Sequence, residues 1–189
     1  MVERYYDKEI GSGGPDPFRC QGFVRGGRIL GRDGISLPVD QLPSFLRALL
    51  VTDGTVTKLI EAYFWEPVAV DTLRQDFVTT RAAIPWVGTD AGDQVLEREA
   101  SLRGADSGQT YAHAHSLIRT ELIPEHFRQA LIDREIGIGV LIRDSGLESY
   151  REVMEVGLEP GAVFRTYRII IAGEPVILIT ESFPLALYQ

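Results

Sequence analysis

At 189 residues, with 44% hydrophobic and 24% charged side chains, the chain has the length and balance of one ordinary globular domain, neither disordered nor fibrous. A formal net charge of −8 with Arg and Lys scattered singly sets nucleic acid aside as a partner, although a few oriented groups in a pocket can still hold an anion. The single cysteine, Cys20, excludes an internal disulfide and a cysteine zinc cluster and suits a reducing, cytoplasmic setting, and the absence of a basic-then-apolar leader or a long apolar run speaks against secretion and the membrane.

Residues 1–38 carry GSGGPDP, RGGR and GRDG, a Gly/Pro-rich extension that reads as loop with one short strand, FVRG, and as a possible lid. The domain proper is expected over 39–189. Leu42, Phe45, Leu46, Leu49 and Leu50 recur at helical spacing, with Asp40 as N-cap and Pro43 in the first turn, so a helix is predicted from Val39 to Asp53-Gly54. Strand character follows over 67–79, 94–104 and 109–118, the last two joined by the turn at Ser107-Gly108. Residues 124–133 place Phe127, Leu131 and Ile132 at helical spacing behind Pro124 and Glu125, a short amphipathic helix. The run 136–142 contains Gly137 and Gly139, leaves helix and loop both open, and is read as a short helix. Three more strands, 148–158, 163–172 and 175–183, close the chain, with a hairpin turn at Ala172-Gly173-Glu174-Pro175. The predicted class is α+β: an antiparallel sheet of about six strands with helices packed on one face.

Side chains alternate across a strand, which exposes charges on apolar faces. Over 94–104 one face reads Leu96, Arg98, Ala100, Leu102, and the other, with Glu97, Glu99 and Arg103, reads as solvated. Arg98 is the lone charge on its face and requires a carboxylate or a ligand. In the last strand Glu181 follows Ile177 and Ile179, and a carboxylate there is set up for proton transfer unless a cation neutralises it. An internal Arg98–Glu181 salt bridge is the plainer alternative to an enclosed ligand pocket. Tyr111, His113, His115 and Leu117 share a face of 109–118. His-x-His on a strand can serve a metal, but Glu121 and His126 give no clear third ligand, so these histidines are read as pocket-lining polar groups and no metal is assigned.

Three segments, FLRALLVTDGTVTKLIEAYFWEPVAVDTL, VLEREASL with YAHAHSLI, and YRIIIAGEPVILITESFP, recur in this order in the chorismate pyruvate-lyases, or 4-hydroxybenzoate synthetases, and the chain resembles that family from about Leu42 to Leu187. The resemblance implies an antiparallel sheet with a ligand site buried beneath flaps, and elimination of pyruvate from chorismate without metal or organic cofactor. It maps the family's carboxylate-gripping arginine onto Arg98 and the glutamate at the other end of the ring onto Glu181. A second arginine of the ubiquinone-pathway members is replaced here by His115, a weaker anion partner. The fold is also shared by ligand-sensing domains of transcription regulators, whose helix-turn-helix this chain lacks.

The expected function is therefore that of a cofactor-independent carbon–oxygen lyase of cytoplasmic biosynthesis. In it Arg98 and Glu181 are catalytic, and Arg98, His115, His113 and Tyr111 bind substrate. The expected partner is a small molecule, not nucleic acid or membrane, and the protein a monomer or homodimer. Two alternatives use the same fold: a cyclase or dehydratase of polyketide-type specialised metabolism, and a non-catalytic small-molecule-binding domain.

Overall fold

The computed structural model describes residues 2–6, 8, 24–25, 27–31, 34–133 and 137–188; Cys20 and the GSGGPDP stretch lie outside them. After a 3-10 turn at Val2–Tyr5, three short strands, β1 (Val24–Arg25), β2 (Arg28–Leu30) and β3 (Ser36–Pro38), form a small antiparallel sheet. The rest is built from α1 (Ser44–Val51), α2 (Val56–Phe64), β4 (Val68–Thr79), β5 (Gln94–Gly104), β6 (Thr110–Ile118), α3 (Glu125–Ile132), α4 (Ile138–Ser145), β7 (Ser149–Glu159), β8 (Ala162–Ile171) and β9 (Glu174–Pro184). The six long strands form one antiparallel sheet in the order β4-β5-β6-β9-β8-β7.

The strands fall close to their predicted limits because turn residues bound them; the first helix does not. Residues Val39–Gln41 form a 3-10 turn, and α1 starts only at Ser44, with extended Pro43 rather than Asp40 in the N-cap position. A second helix, α2, was not foreseen, although Val56, Ile60 and Phe64 recur every four residues. The β8–β9 turn has positive φ at Ala172 (51°) and Gly173 (85°), the paired left-handed conformation of a tight hairpin, which glycine adopts without steric cost.

All four helices lie against one face of the sheet. Beside α1 and α2, Leu46, Leu49, Leu50 and Ile60 pack with Leu102, Val156, Val163 and Phe183. Beside α3 and α4, Phe127, Leu131 and Leu141 pack with Ile118, Ile169 and Ile177. Burying side chains of this size contributes about 1.5–3 kcal/mol each, so these two clusters hold the layers together. A polar belt crosses the sheet between them.

The opposite face of β5 is not solvated, which corrects the sequence reading: Glu97 and Ser101 are buried there. Val2 and Tyr5 return to this side and, with Ile84, Trp86 and Val87, cover Val95, Leu117 and Leu178. Among the described residues no helix is long and apolar enough to cross a membrane.

Candidate active site

Strand pairing decides which residues share the helix-covered face. Arg98 on β5 lies opposite Ser116 on β6, Ser116 opposite Ile179 on β9, and Glu181 opposite both Ala114 and Arg165 on β8. The belt therefore reads, in strand order, Thr72, Arg98, Ser116, Glu181, Arg165 with Tyr167, and Arg151. A cavity of about 630 Å³, counted out to its open mouth, lies over it. Its floor includes Arg98, Ala100, Ala114, Ser116, Ile179, Glu181, Tyr167 and Arg151, and its walls are Gly54–Thr57, at the start of α2, and Gly137–Val140, at the start of α4.

Arg98 is only 2% exposed, and its Nη2 donates to Thr72 Oγ1 at 2.7 Å. Glu181 is also buried, but its ionic partner is Arg165, whose Nε donates to Glu181 Oε2 at 2.9 Å. The Tyr167 hydroxyl donates to Glu181 Oε1 at 3.2 Å. Burial first, and the Glu181 charge second, push the Tyr167 phenol far above its ordinary value, so it is a hydrogen-bond donor at any working pH. Arg165 is fully buried, with its guanidinium over the Tyr167 ring at 4.6 Å. Glu181 thus accepts from a guanidinium and a phenol on the floor of the cavity.

Two arginines also shape the wall. Arg165 Nη1 donates to the Thr52 carbonyl at 2.6 Å and Arg151 Nη1 to the Asp53 carbonyl at 3.0 Å, pinning the α1–α2 turn over the cavity. Neither α2 nor α4 has a side-chain cap at its N-terminus. Both first turns line the cavity and carry the positive ends of the helix dipoles. A Cβ added at Gly137 would stand 3.2 Å from Val70 Cγ2, so the absence of a side chain there lets α4 close on the sheet. Two guanidinium groups, Arg98 and Arg151, and the starts of two helices, against one carboxylate already paired with Arg165, make this cavity receptive to an anion, despite the acidic chain.

Of the predicted site residues, the structure brings Arg98 and Glu181 to one cavity and sends the others elsewhere. Tyr111 sits where the β5–β6 register shifts, and it stacks on Phe64 at 3.8 Å with its hydroxyl on the Glu66 carboxylate. That bond is the first cause holding Glu66 down at about 2. His113 and His115 point to the other side of the sheet, into a separate cleft with Arg4, Glu99 and Glu159. His126 is exposed on α3, and among the described residues no three His, Cys, Asp or Glu side chains converge to hold a metal ion. Arg165 and Arg151 were not foreseen. The alternation that exposed Arg98 also isolates Arg165 among Val163, Tyr167 and Ile169, so that signal was present.

His115 belongs to a buried structural network. Its Nε2 donates to Glu97 Oε1 at 2.9 Å, Nδ1 accepts from the Tyr5 hydroxyl at 3.2 Å, and Tyr5 meets Thr180 Oγ1 at 2.6 Å. Desolvation lowers the His115 pKa, against the opposing pull of Glu97, and burial raises that of Tyr5 to about 12. A histidine with a depressed folded-state pKa contributes stability that is fully present above its unfolded value, near 6.5, and is lost as pH falls through the lowered one. His115→Asn should cost about 1–3 kcal/mol at neutral pH. It should also flatten the decline in urea midpoint between about pH 7.5 and 5.5, while activity per folded molecule is unchanged. Equal declines in both proteins would exclude this role.

A helix-walled, anion-receptive cavity on one face of an antiparallel sheet defines a small-molecule-binding α+β domain. Its fold is that of the crystal structure of PhnF from Mycobacterium smegmatis, at a TM-score of 0.56 and 11% identity over 74% of this chain and 67% of that one. Sequence comparison narrows the class. The family model described as chorismate pyruvate-lyase Rv2949c-like matches residues 50–189, and the chain belongs to that family. It is 30% identical to a chorismate pyruvate-lyase of Mycobacterium leprae, over 86% of this chain and 82% of the relative. A chorismate pyruvate-lyase of Mycobacterium tuberculosis is 27% identical over 73% and 78%.

Proposed function

We propose that the chain eliminates pyruvate from chorismate to give 4-hydroxybenzoate. The observation that carries this reading is the pairing, in one cavity, of an anion-binding group, Arg98, and a hydroxyl-accepting carboxylate, Glu181. Chorismate carries a carboxylate and a hydroxyl at opposite ends of its ring, and so does the product. Arg98 holds the ring carboxylate and Glu181 accepts from the ring hydroxyl. Tyr167 and Arg165 keep Glu181 aimed.

In the reaction, the C–H bond on the hydroxyl-bearing ring carbon and the neighbouring ether C–O bond break. The C–H electron pair becomes the new ring double bond, and the ether oxygen keeps its own pair. The side-chain methylene takes up the proton, so that the departing group is pyruvate. Aromatisation drives the step, and the protein's task is to fix the reactive conformer and stabilise charge on the departing oxygen.

The lining supports a compact polar substrate over a polyketide-type one. Among the described residues Tyr167 is its one aromatic ring, and Arg98 and Arg151 are its cations. The direct test is to incubate the purified chain with chorismate and measure pyruvate and 4-hydroxybenzoate in equal amounts; absence of both products overturns the reading. Glu181→Gln should weaken 4-hydroxybenzoate binding about tenfold or more, since a hydrogen bond to a charged group contributes about 1.5–3 kcal/mol. Calorimetric titration measures it.

A further inference from the structure

We infer that Arg151 recognises a second carboxylate on the ligand, so that the pocket selects dicarboxylates over monocarboxylates of the same ring. The inference rests on the chorismate-lyase reading and deepens it, since chorismate carries a side-chain carboxylate as well as the ring one.

Arg98 and Arg151 line the same cavity from β5 and β7, with β6, β9 and β8 between them. At about 4.8 Å per strand their backbones stand roughly 19 Å apart, and both side chains line the cavity that spans this interval. Ser116, Ile179, Glu181 and Tyr167 line the space between. One N–H of Arg151 is committed to the Asp53 carbonyl at 3.0 Å. Among the described residues no carboxylate pairs with Arg151, and its other N–H groups have no protein hydrogen bond. By contrast Glu152, its neighbour on β7, points to the opposite face and pairs with Arg168 at 2.7 Å. Arg151 is therefore a partly exposed cation, with one N–H committed, at the end of the cavity away from Arg98, where an anion can use the rest of its planar fork.

This placement also answers the replacement at His115. His115 was expected to line the pocket in place of the family's second arginine, but it faces away from the cavity. On β7 the cation reaches the ligand from the far side of Glu181. A carboxylate held there would be the one that leaves with pyruvate.

The test compares two ligands that differ by one carboxylate, 3-(carboxymethoxy)benzoate and 3-methoxybenzoate, titrated calorimetrically into the full chain and into Arg151→Met and Arg151→Lys. The wild type should prefer the diacid by on the order of tenfold or more. In Arg151→Met that ratio should collapse toward one with little change for the monoacid, and Arg151→Lys should keep part of it. Equal weakening of both ligands would mean that Arg151 only pins the α1–α2 turn, and overturns the inference. So would a wild type without preference, or one that binds neither acid. Thermal unfolding of each variant guards against misfolding, with Arg151→Lys read if Arg151→Met does not fold. Turnover of chorismate is measured separately: a lasting diacid preference without turnover removes the lyase reading alone, and turnover with an unchanged ratio in Arg151→Met removes this inference alone.

Discussion

Arg165→Met should destabilise the protein by about 3–5 kcal/mol, the cost of leaving one partner of a buried ion pair behind. The stranded group is Glu181, buried on the central strand β9, which among the described residues would keep only the Tyr167 hydroxyl as a hydrogen-bonded side-chain partner. The Thr52 carbonyl would lose its 2.6 Å contact as well, so the α1–α2 turn should loosen. Equilibrium urea unfolding measures the loss. The informative comparison is with Arg165→Met/Glu181→Gln, which removes both charges. It should recover a substantial part of the stability while remaining impaired in ligand binding. If the double variant is no more stable than Arg165→Met, the loss lies in packing and the Thr52 contact rather than in an uncompensated charge.

Arg98→Ala should lower kcat/KM for chorismate on the order of a thousandfold, with little change in fold. Truncating one partner of a desolvated, hydrogen-bonded charge pair costs about 2–5 kcal/mol, and each 1.4 kcal/mol is a factor of ten. Arg98 stands on β5 between the two hydrophobic clusters, and Thr72 is its structural hydrogen-bond partner at 2.7 Å. Arg98→Lys should recover only part of the activity, because a single ammonium cannot serve Thr72 and a carboxylate as a planar fork does. Continuous measurement of pyruvate release gives the rates, and thermal stabilisation by 4-hydroxybenzoate reports binding alone. Retention of that stabilisation in Arg98→Ala would remove the carboxylate from Arg98.

Much of the architecture was legible because turn residues such as Ser107-Gly108 and Ala172-Gly173 bound the strands, and a turn needs no knowledge of neighbours. Arg98 and Glu181 stood out as charges among the apolar residues at every second position of their strands. The pocket's other walls depend on pairing. His113 and His115 do share a face, as read, but whether that face meets Arg98 depends on register, and Arg98 pairs with Ser116 rather than His115. Tyr111 left its expected face because the β5–β6 ladder shifts beside it, a local irregularity that a two-residue period cannot show. Glu97 looked solvated since its cover, Val2 and Tyr5, returns from about 90 residues away through a segment with no periodicity. Arg151 lies on the edge strand β7, whose register shifts between Val153 and Glu155, so the pattern blurs just beyond it.

The neighbouring residues Ala100 and Ala114, opposite one another on β5 and β6, border both the active cavity and the histidine cleft behind the sheet. At this point the wall between two chambers is little more than a pair of peptide backbones and two methyl groups. Two short side chains then set the depth of the cavity at this point, and the chain carries an adjustable floor. Valine at either position would make the chamber shallower without touching a charged group, whereas glycine would deepen it, so divergence toward larger or smaller acids needs no change in Arg98, Glu181 or the helices above them.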